Sequence, residues 1–254
     1  MSGIRVTKED RITRIEFARL DKKNALTGEM YIMLAEALTA ANADPQVRAV
    51  LLHGSADCFT AGNDVSDFLQ PRPQGGNPPV WKLFEALPSL EKPIVAAVGG
   101  PAVGIGTTML LHCDLVYATP SARFQLPFVP LGIVPEFGST YLLPLMAGYQ
   151  RAAELLLLGQ PFTAQEAHEV GIVTALVPQE RLLDEAENVA LALAALPPES
   201  VRLTKRLMKG WHTQLAKAAI AEEGRLVVER LRSPEAKEAM SAFLEKRKPD
   251  FSRF

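Results

Sequence analysis

KPIVAAVGGPAVGIGTTMLLHCDLVYATPSARFQLPFVPLGIVPEFGST, residues 92–140, is the stretch on which the fold turns. Its most apolar part, Pro93 to Ala118, is long enough to suggest a membrane helix. Gly99, Gly100, Pro101, Gly104 and Gly106 break it, and His112 and Asp114 lie deep inside it, which a membrane span does not tolerate together. It reads instead as a buried strand at Ile94–Val98, a glycine loop over 99–104 and a short helix over 105–111. Strands at Asp114–Ala118 and Ala122–Gln125 follow.

Working outward, the chain keeps alternating strand and helix patterns. Ile4–Val6 and Ile12–Phe17 alternate apolar with polar residues around Glu9-Asp10, the pattern of a β-hairpin. Leu26, Met30, Met33, Leu34, Ala37, Leu38 and Ala41 recur at helical spacing and predict a helix over 27–43. Arg48–His53 is a short buried strand, Trp81–Leu87 a helix, and 70–79, with four prolines and two glycines, a surface loop. Such alternation indicates an α/β layer architecture with crossover connections. Beyond Tyr141 the pattern changes. Thr163-Ala164-Gln165-Glu166 spells a capping box, with Gly171 ending its helix, and a strand is predicted at Val173–Val177. From about 180 the chain is almost wholly helical, with Ser233-Pro234 opening a last helix towards Lys246. No repeat of solenoid length is present.

The 254 residues are 48% hydrophobic and 22% charged, as expected of a soluble globular chain with one large domain and a helical appendage. Twenty-seven basic against 29 acidic residues leave a net charge of −2, which argues against a nucleic-acid partner. Met-Ser-Gly-Ile-Arg-Val lacks the apolar core of a secretory signal, and Ser252-Arg253-Phe254 does not match a peroxisomal address. Cys58 and Cys113 form neither a disulfide framework nor a metal pair. A cytoplasmic protein with no membrane association is expected.

Several catalytic signatures fail. The 99–107 segment lacks the lysine of a phosphate loop, and Gly104-Ile105-Gly106 meets Met109 where a dinucleotide site needs its third glycine. No serine sits in a nucleophile elbow. His53, His112, His168 and His212 have no ligand spacing and read as structural, so no metal site is expected.

Two segments remain. Phe59-Thr60-Ala61-Gly62-Asn63-Asp64-Val65 follows a buried strand, and its small residues let a ligand approach the backbone. Ala102-Val103-Gly104-Ile105-Gly106-Thr107 enters a helix, where unpaired N–H groups and the positive dipole end face outward. Two such donors converging on one carbonyl oxygen would form an oxyanion hole. Each segment alone is equally consistent with a packing device.

Taken together, residues 92–140 resemble the central signature of the enoyl-CoA hydratase/isomerase (crotonase) family. Ala61–Phe68 (AGNDVSDF) is similar to its first oxyanion segment, and Lys22-Lys23-Asn24-Ala25-Leu26 to its N-terminal loop. The likeness runs over essentially the whole chain. It implies a spiral of ββα units over 1–198, a C-terminal helical trimerisation region over 199–254, and an acyl-CoA substrate with no further cofactor. It assigns the oxyanion donors to the backbone N–H groups of Asn63 and Ile105. Substrate contacts are implied for Lys22, Lys23, Ala25, Ala61, Gly62, Asp64, Val65 and Gly104. A homotrimer or dimer of trimers is expected, with Lys246-Arg247-Lys248 near a bound nucleotide. The apolar residues of the tail, Val201, Leu203, Leu207, Trp211 and Leu215 among them, agree with a buried association surface.

The departures from the family pattern matter most. Where the family's hydratases carry two glutamates, this chain has Thr108 and Phe128, neither able to hold and activate water as a carboxylate pair does. Glu136 is the only carboxylate between Phe124 and Leu145. It stands at a turn entering a helix, where a first-turn acid would stabilise the dipole by about 0.3–1 kcal/mol. By resemblance it occupies the place of the single catalytic glutamate of Δ3,Δ2-enoyl-CoA isomerases. One carboxylate suffices to carry a proton from C2 to C4 of a 3-enoyl thioester. The expected function is therefore enoyl-CoA isomerisation. The alternatives are another crotonase-type reaction (hydrolysis, decarboxylation or hydration) and a non-catalytic acyl-CoA-binding role.

Overall fold

Strand β1 (Ile4–Glu9) turns back through Asp10 and Arg11 to pair antiparallel with β2 (Ile12–Phe17), Glu9 facing Ile12. Both turn residues have positive φ, 51° and 64°, the geometry of a two-residue hairpin whose twist matches its strands. The structure is a computed structural model that describes residues 3–64 and 78–254. Val65 and most of the 70–79 stretch lie outside the described residues.

Helix α1 (Gly28–Ala43) starts where the Thr27 hydroxyl accepts the Met30 N–H. It crosses to β3 (Ala49–His53), which joins β2 in parallel. Then come α2 (Val80–Ala86) and β4 (Ile94–Val98). The expected glycine loop contains a short strand, β5 (Pro101–Val103), because Ala102 pairs with Thr60 and β5 with β7 (Arg123–Gln125). The expected helix over 105–111 is α-helical only at α3 (Ile105–Thr108). It tightens to 3-10 geometry over Met109–His112, with β6 (Leu115–Ala118) after it.

Next are α4 (Ser139–Ala147), α5 (Tyr149–Ala153), β8 (Phe162–Thr163) and α6 (Ala164–Glu169). The Thr163/Glu166 capping box forms with both of its hydrogen bonds. The strand expected at 173–177 shortens to β9 (Ala175–Leu176), which finds only Tyr117 and Ala118 of β6 to pair with. Helices α7 (Leu182–Ala195), α8 (Pro198–Gly210), α9 (Thr213–Arg230) and α10 (Pro234–Leu244) complete the chain. The last is capped by Ser233 and stops two residues short of Lys246.

The main sheet runs β1-β2-β3-β4-β6-β9, parallel after the hairpin, and the smaller sheet runs β5-β7-β8. Period-two alternation sorts the central strands between two cores. Val50, Leu52, Ile94, Ala96 and Val98 face the larger core with Met30, Leu34 and Leu38 of α1. Ala49, Leu51, Val95 and Ala97 face Leu182, Ala186, Ala190 and Ala194 of α7. The four-residue spacing of that small-residue stripe lets α7 lie close on the sheet.

Helix α8 is pinned by a buried charge. Lys205 Nζ donates to the Lys92 carbonyl at 2.7 Å and meets Asp114 at 2.6 Å, while Asp114 also accepts the Ile94 N–H at 2.8 Å. Burial pushes the Lys205 ammonium down to about 8, opposed by Asp114. The outer faces of α8 and α9 leave Leu207, Met208, Trp211 and Leu215 exposed.

Candidate active site

The segment from Cys58 to Asp64 lies between two backbones. On one side Leu26 N–H donates to Gly62 and Asp64 N–H to Leu26; on the other Thr60 N–H donates to Pro101 and Val103 N–H to Thr60. Asn24, fully buried and left-handed (φ 54°), locks the first side. Its side chain accepts the Arg19 N–H and donates to the Cys58 and Phe59 carbonyls at 3.1 and 3.0 Å. Arg19 spans the same ribbon, reaching the Ala25 carbonyl at 2.9 Å and Asp64 at 2.6 Å. Ala25, Ala61, Gly62, Asn63 and Asp64 are thereby brought together, with Lys22 and Lys23 exposed at one end.

Gly62 shows why a side chain is excluded here. Its φ is +89°, and a Cβ would sit 2.7 Å from the Val103 carbonyl oxygen. That contact sets Asn63 beside the strand that leads into α3. Gly104 precedes α3, its N–H donating to Gln125 at 2.9 Å; Thr107 Oγ1 donates to Ala102 at 2.6 Å. The helix start is thus tied to both β5 and β7.

Among the described residues the backbone N–H groups of Asn63 and Ile105 have no acceptor. For Ile105 this follows from its place as the first residue of the helical run. For Asn63 it follows from register, since Gly62 and Asp64 use the Leu26 side of the ribbon. The Asn63 side chain is held separately, its Oδ1 accepting the Tyr31 hydroxyl. The two N–H groups are thus left without acceptors on adjoining segments.

Glu136 does not lie in the first turn of a helix, as the dipole role required: α4 begins at Ser139, and Phe137 between them is left-handed (φ 62°). The carboxyl is 7% exposed, and its Oε1 is buried without a hydrogen-bond partner among the described residues. Burial first, and the charge of Glu223 second, push it up to about 8. Thr108 and Phe128, in the places of the hydratase acids, are both buried.

The turn is gripped from two directions that sequence reasoning missed. His112, at the far end of the helical run that starts with Ile105, meets the Phe137 carbonyl at 2.8 Å through Nε2. Burial pushes that imidazole down to about 4, so the neutral ring donates this bond. Phe137 itself stacks on Phe84 (ring centroids 4.4 Å apart). From α9, Glu223 accepts the Gly138 N–H. The other histidines serve locally: His53 at the Gly54 carbonyl, His168 at Val173 and His212 at the Tyr141 hydroxyl. Asn24 was visible only as part of a loop, and nothing near Glu223 in the chain signals its role.

The sequence matches the family description "Enoyl-CoA hydratase/isomerase" over residues 7–253. The chain belongs to the enoyl-CoA hydratase/isomerase family. It is 37% identical to enoyl-CoA delta isomerase 2 of Rattus norvegicus over 253 residues, covering 97% of this chain and 64% of that protein. This chain therefore spans less than two thirds of that relative. With the 1,2-epoxyphenylacetyl-CoA isomerase of Escherichia coli it shares 34% identity, covering 96% of each. Hydratases are similar at a comparable level: the crotonyl-CoA hydratase of Syntrophomonas wolfei is 33% identical, with 98% of this chain and 97% of that one covered. The crystal structure of an enoyl-CoA hydratase/isomerase from Pseudoalteromonas atlantica superimposes with a TM-score of 0.95 at 44% identity, covering 98% of this chain and all of the other. The two sheets and their helical C-terminal region are the expected crotonase fold.

Proposed function

We propose that this family member is an isomerase converting 3-enoyl-CoA to 2-enoyl-CoA, with Glu136 as its single base. The carrying observation is one buried carboxyl in an apolar turn, its Oε1 without a partner among the described residues; by resemblance, Thr108 and Phe128 stand where hydratases carry their acids. The ionised Glu136 takes a proton from C2, and the electrons move onto the thioester oxygen to give a dienolate. Asn63 and Ile105 N–H stabilise that oxygen. The neutral acid then returns the proton to C4, leaving the double bond at C2–C3. A proton affinity raised by burial makes Glu136 a stronger base than a solvated carboxylate. These steps call for no metal or redox cofactor; coenzyme A is part of the substrate.

In this reading the exposed Lys22 and Lys23 meet the nucleotide end of coenzyme A, with the acyl site in the core over 1–198. The region 199–254, with Trp211 85% exposed on its outer face, supports a trimer or dimer of trimers. Conversion of 3-enoyl-CoA, followed by the absorbance of the conjugated product, tests the reading. Glu136→Gln should lose at least about a thousandfold in kcat, and retention of the wild-type rate overturns the assignment. The similarity to hydratases keeps hydration as a second reading; a 3-hydroxyacyl-CoA product from 2-enoyl-CoA at a comparable rate would favour it.

A further inference from the structure

The N-terminus of α4 has no capping side chain of its own, since its N-cap is Gly138. Glu223 supplies the missing acceptor from far along the chain. One carboxylate oxygen accepts the Gly138 N–H at 2.5 Å; the other accepts the Thr140 N–H at 2.9 Å and the Thr140 hydroxyl at 2.5 Å. Three donors converge on its two oxygens, an arrangement that favours the ionised carboxylate. Glu223 is 5% exposed. Helix α9 reaches this depth because the next residue is Gly224, where a Cβ would stand 2.3 Å from the Trp81 ring.

We infer that Glu223 is a positioning residue for Glu136: it grips the chain directly after the catalytic turn and sets a negative charge facing that carboxyl, so that docking of α9 completes the base. The inference rests on Glu136 being the base. It goes beyond a packing role because a neutral cap would hold the turn equally well without opposing Glu136. Burial holds Glu223 above its ordinary value, and its three hydrogen bonds oppose that rise without cancelling it.

Few other charges face this pair from the described elements. His112 comes from the 3-10 turn after α3 and is neutral. Lys209 donates to the His112 carbonyl, and both Lys205 and Lys209 engage Asp114. Tyr141 of α4 bonds His212 at 2.8 Å. Lys82 and Glu85 of α2, and Lys217, Glu222 and Arg225 of α9, are exposed. Beside burial, Glu223 is the charge that raises Glu136.

The test is the pH profile of kcat/KM for 3-enoyl-CoA with the full chain carrying Glu223→Gln. The amide keeps one acceptor oxygen but turns an N–H2 towards Gly138. The plateau should fall about tenfold, and the acid limb should move to lower pH by about one unit, because the like charge is gone. A lowered plateau with the acid limb unmoved would mean a structural cap only and overturns the inference. Glu136→Gln is the companion: if it stays active, the base assignment fails, whereas an inactive Glu136→Gln with an unmoved Glu223→Gln limb sinks only this inference. Should Glu223→Gln fail to fold, carboxyl-13C-glutamate spectra of wild type and Glu136→Gln decide it. Coupling is reciprocal, so in wild type the resonance of a second buried carboxyl must shift again in the high-pH window where Glu136 ionises, a shift that Glu136→Gln abolishes. No such shift overturns the inference.

Discussion

The two halves of the proposed site are built on opposite principles. The oxyanion half uses backbone: Asn63 and Ile105 offer N–H groups, and the residues around them are small or serve only to lock the ribbon. The base half uses one side chain on a left-handed turn, held by His112 and Glu223 from distant parts of the chain. Stability and function therefore run together in the first half. In the second they oppose each other, because a buried carboxyl that must ionise to act destabilises the fold that holds it.

The widest gap between the halves should appear at Gly62. Gly62→Ala forces a Cβ against the Val103 carbonyl and spreads the two donor segments. A fall in kcat of a hundredfold to a thousandfold is expected, of the order of one lost oxyanion donor. Stopped-time assays on 3-enoyl-CoA measure it, and an unchanged kcat would break the backbone half of the comparison. Asn24→Ala comes next. It strands the Arg19 N–H and the Phe59 carbonyl and leaves the Cys58 carbonyl only its Ser55 donors, and urea unfolding should show a loss of about 3 kcal/mol.

The base half should respond with the opposite sign. Glu136 rises from an ordinary 4.5 to about 8 in the folded chain, so its ionisation opposes folding progressively as pH climbs through that window. Glu136→Gln, inactive, should melt higher than wild type, by about 3 °C or more above pH 8 and by almost nothing below pH 5. Thermal melts across pH measure the difference; a gap that shrinks as pH rises would contradict the sign. The smallest effect is expected for Tyr31→Phe. It frees the Asn63 side chain but leaves its N–H, so kcat should change by less than about threefold. A larger loss would show that the Asn63 amide takes part.

The oxyanion half was legible because its devices are local. Glycine spacing, a strand running into a helix and the small residues around Gly62 lie within a few positions of the donors they serve. Glu136 was legible as the lone carboxylate of an apolar run at a turn entering a helix; the alternative role of a first-turn acid is the one the structure removes. The helix starts later, and the dipole role falls to Glu223. The short strand β5 was hidden inside a glycine loop because its pairing partners, Thr60 and β7, lie elsewhere in the chain.

By itself the sequence determined the alternation of strands and helices, the order of the two donor segments and which acid survives. Those follow from backbone preferences and side-chain periods that act between near neighbours. Only the tertiary structure decided what that acid can do. Desolvation and charge repulsion depend on distance in space, so the proton affinity of Glu136 is set first by the burial of its turn and second by Glu223, which α9 brings from far along the chain.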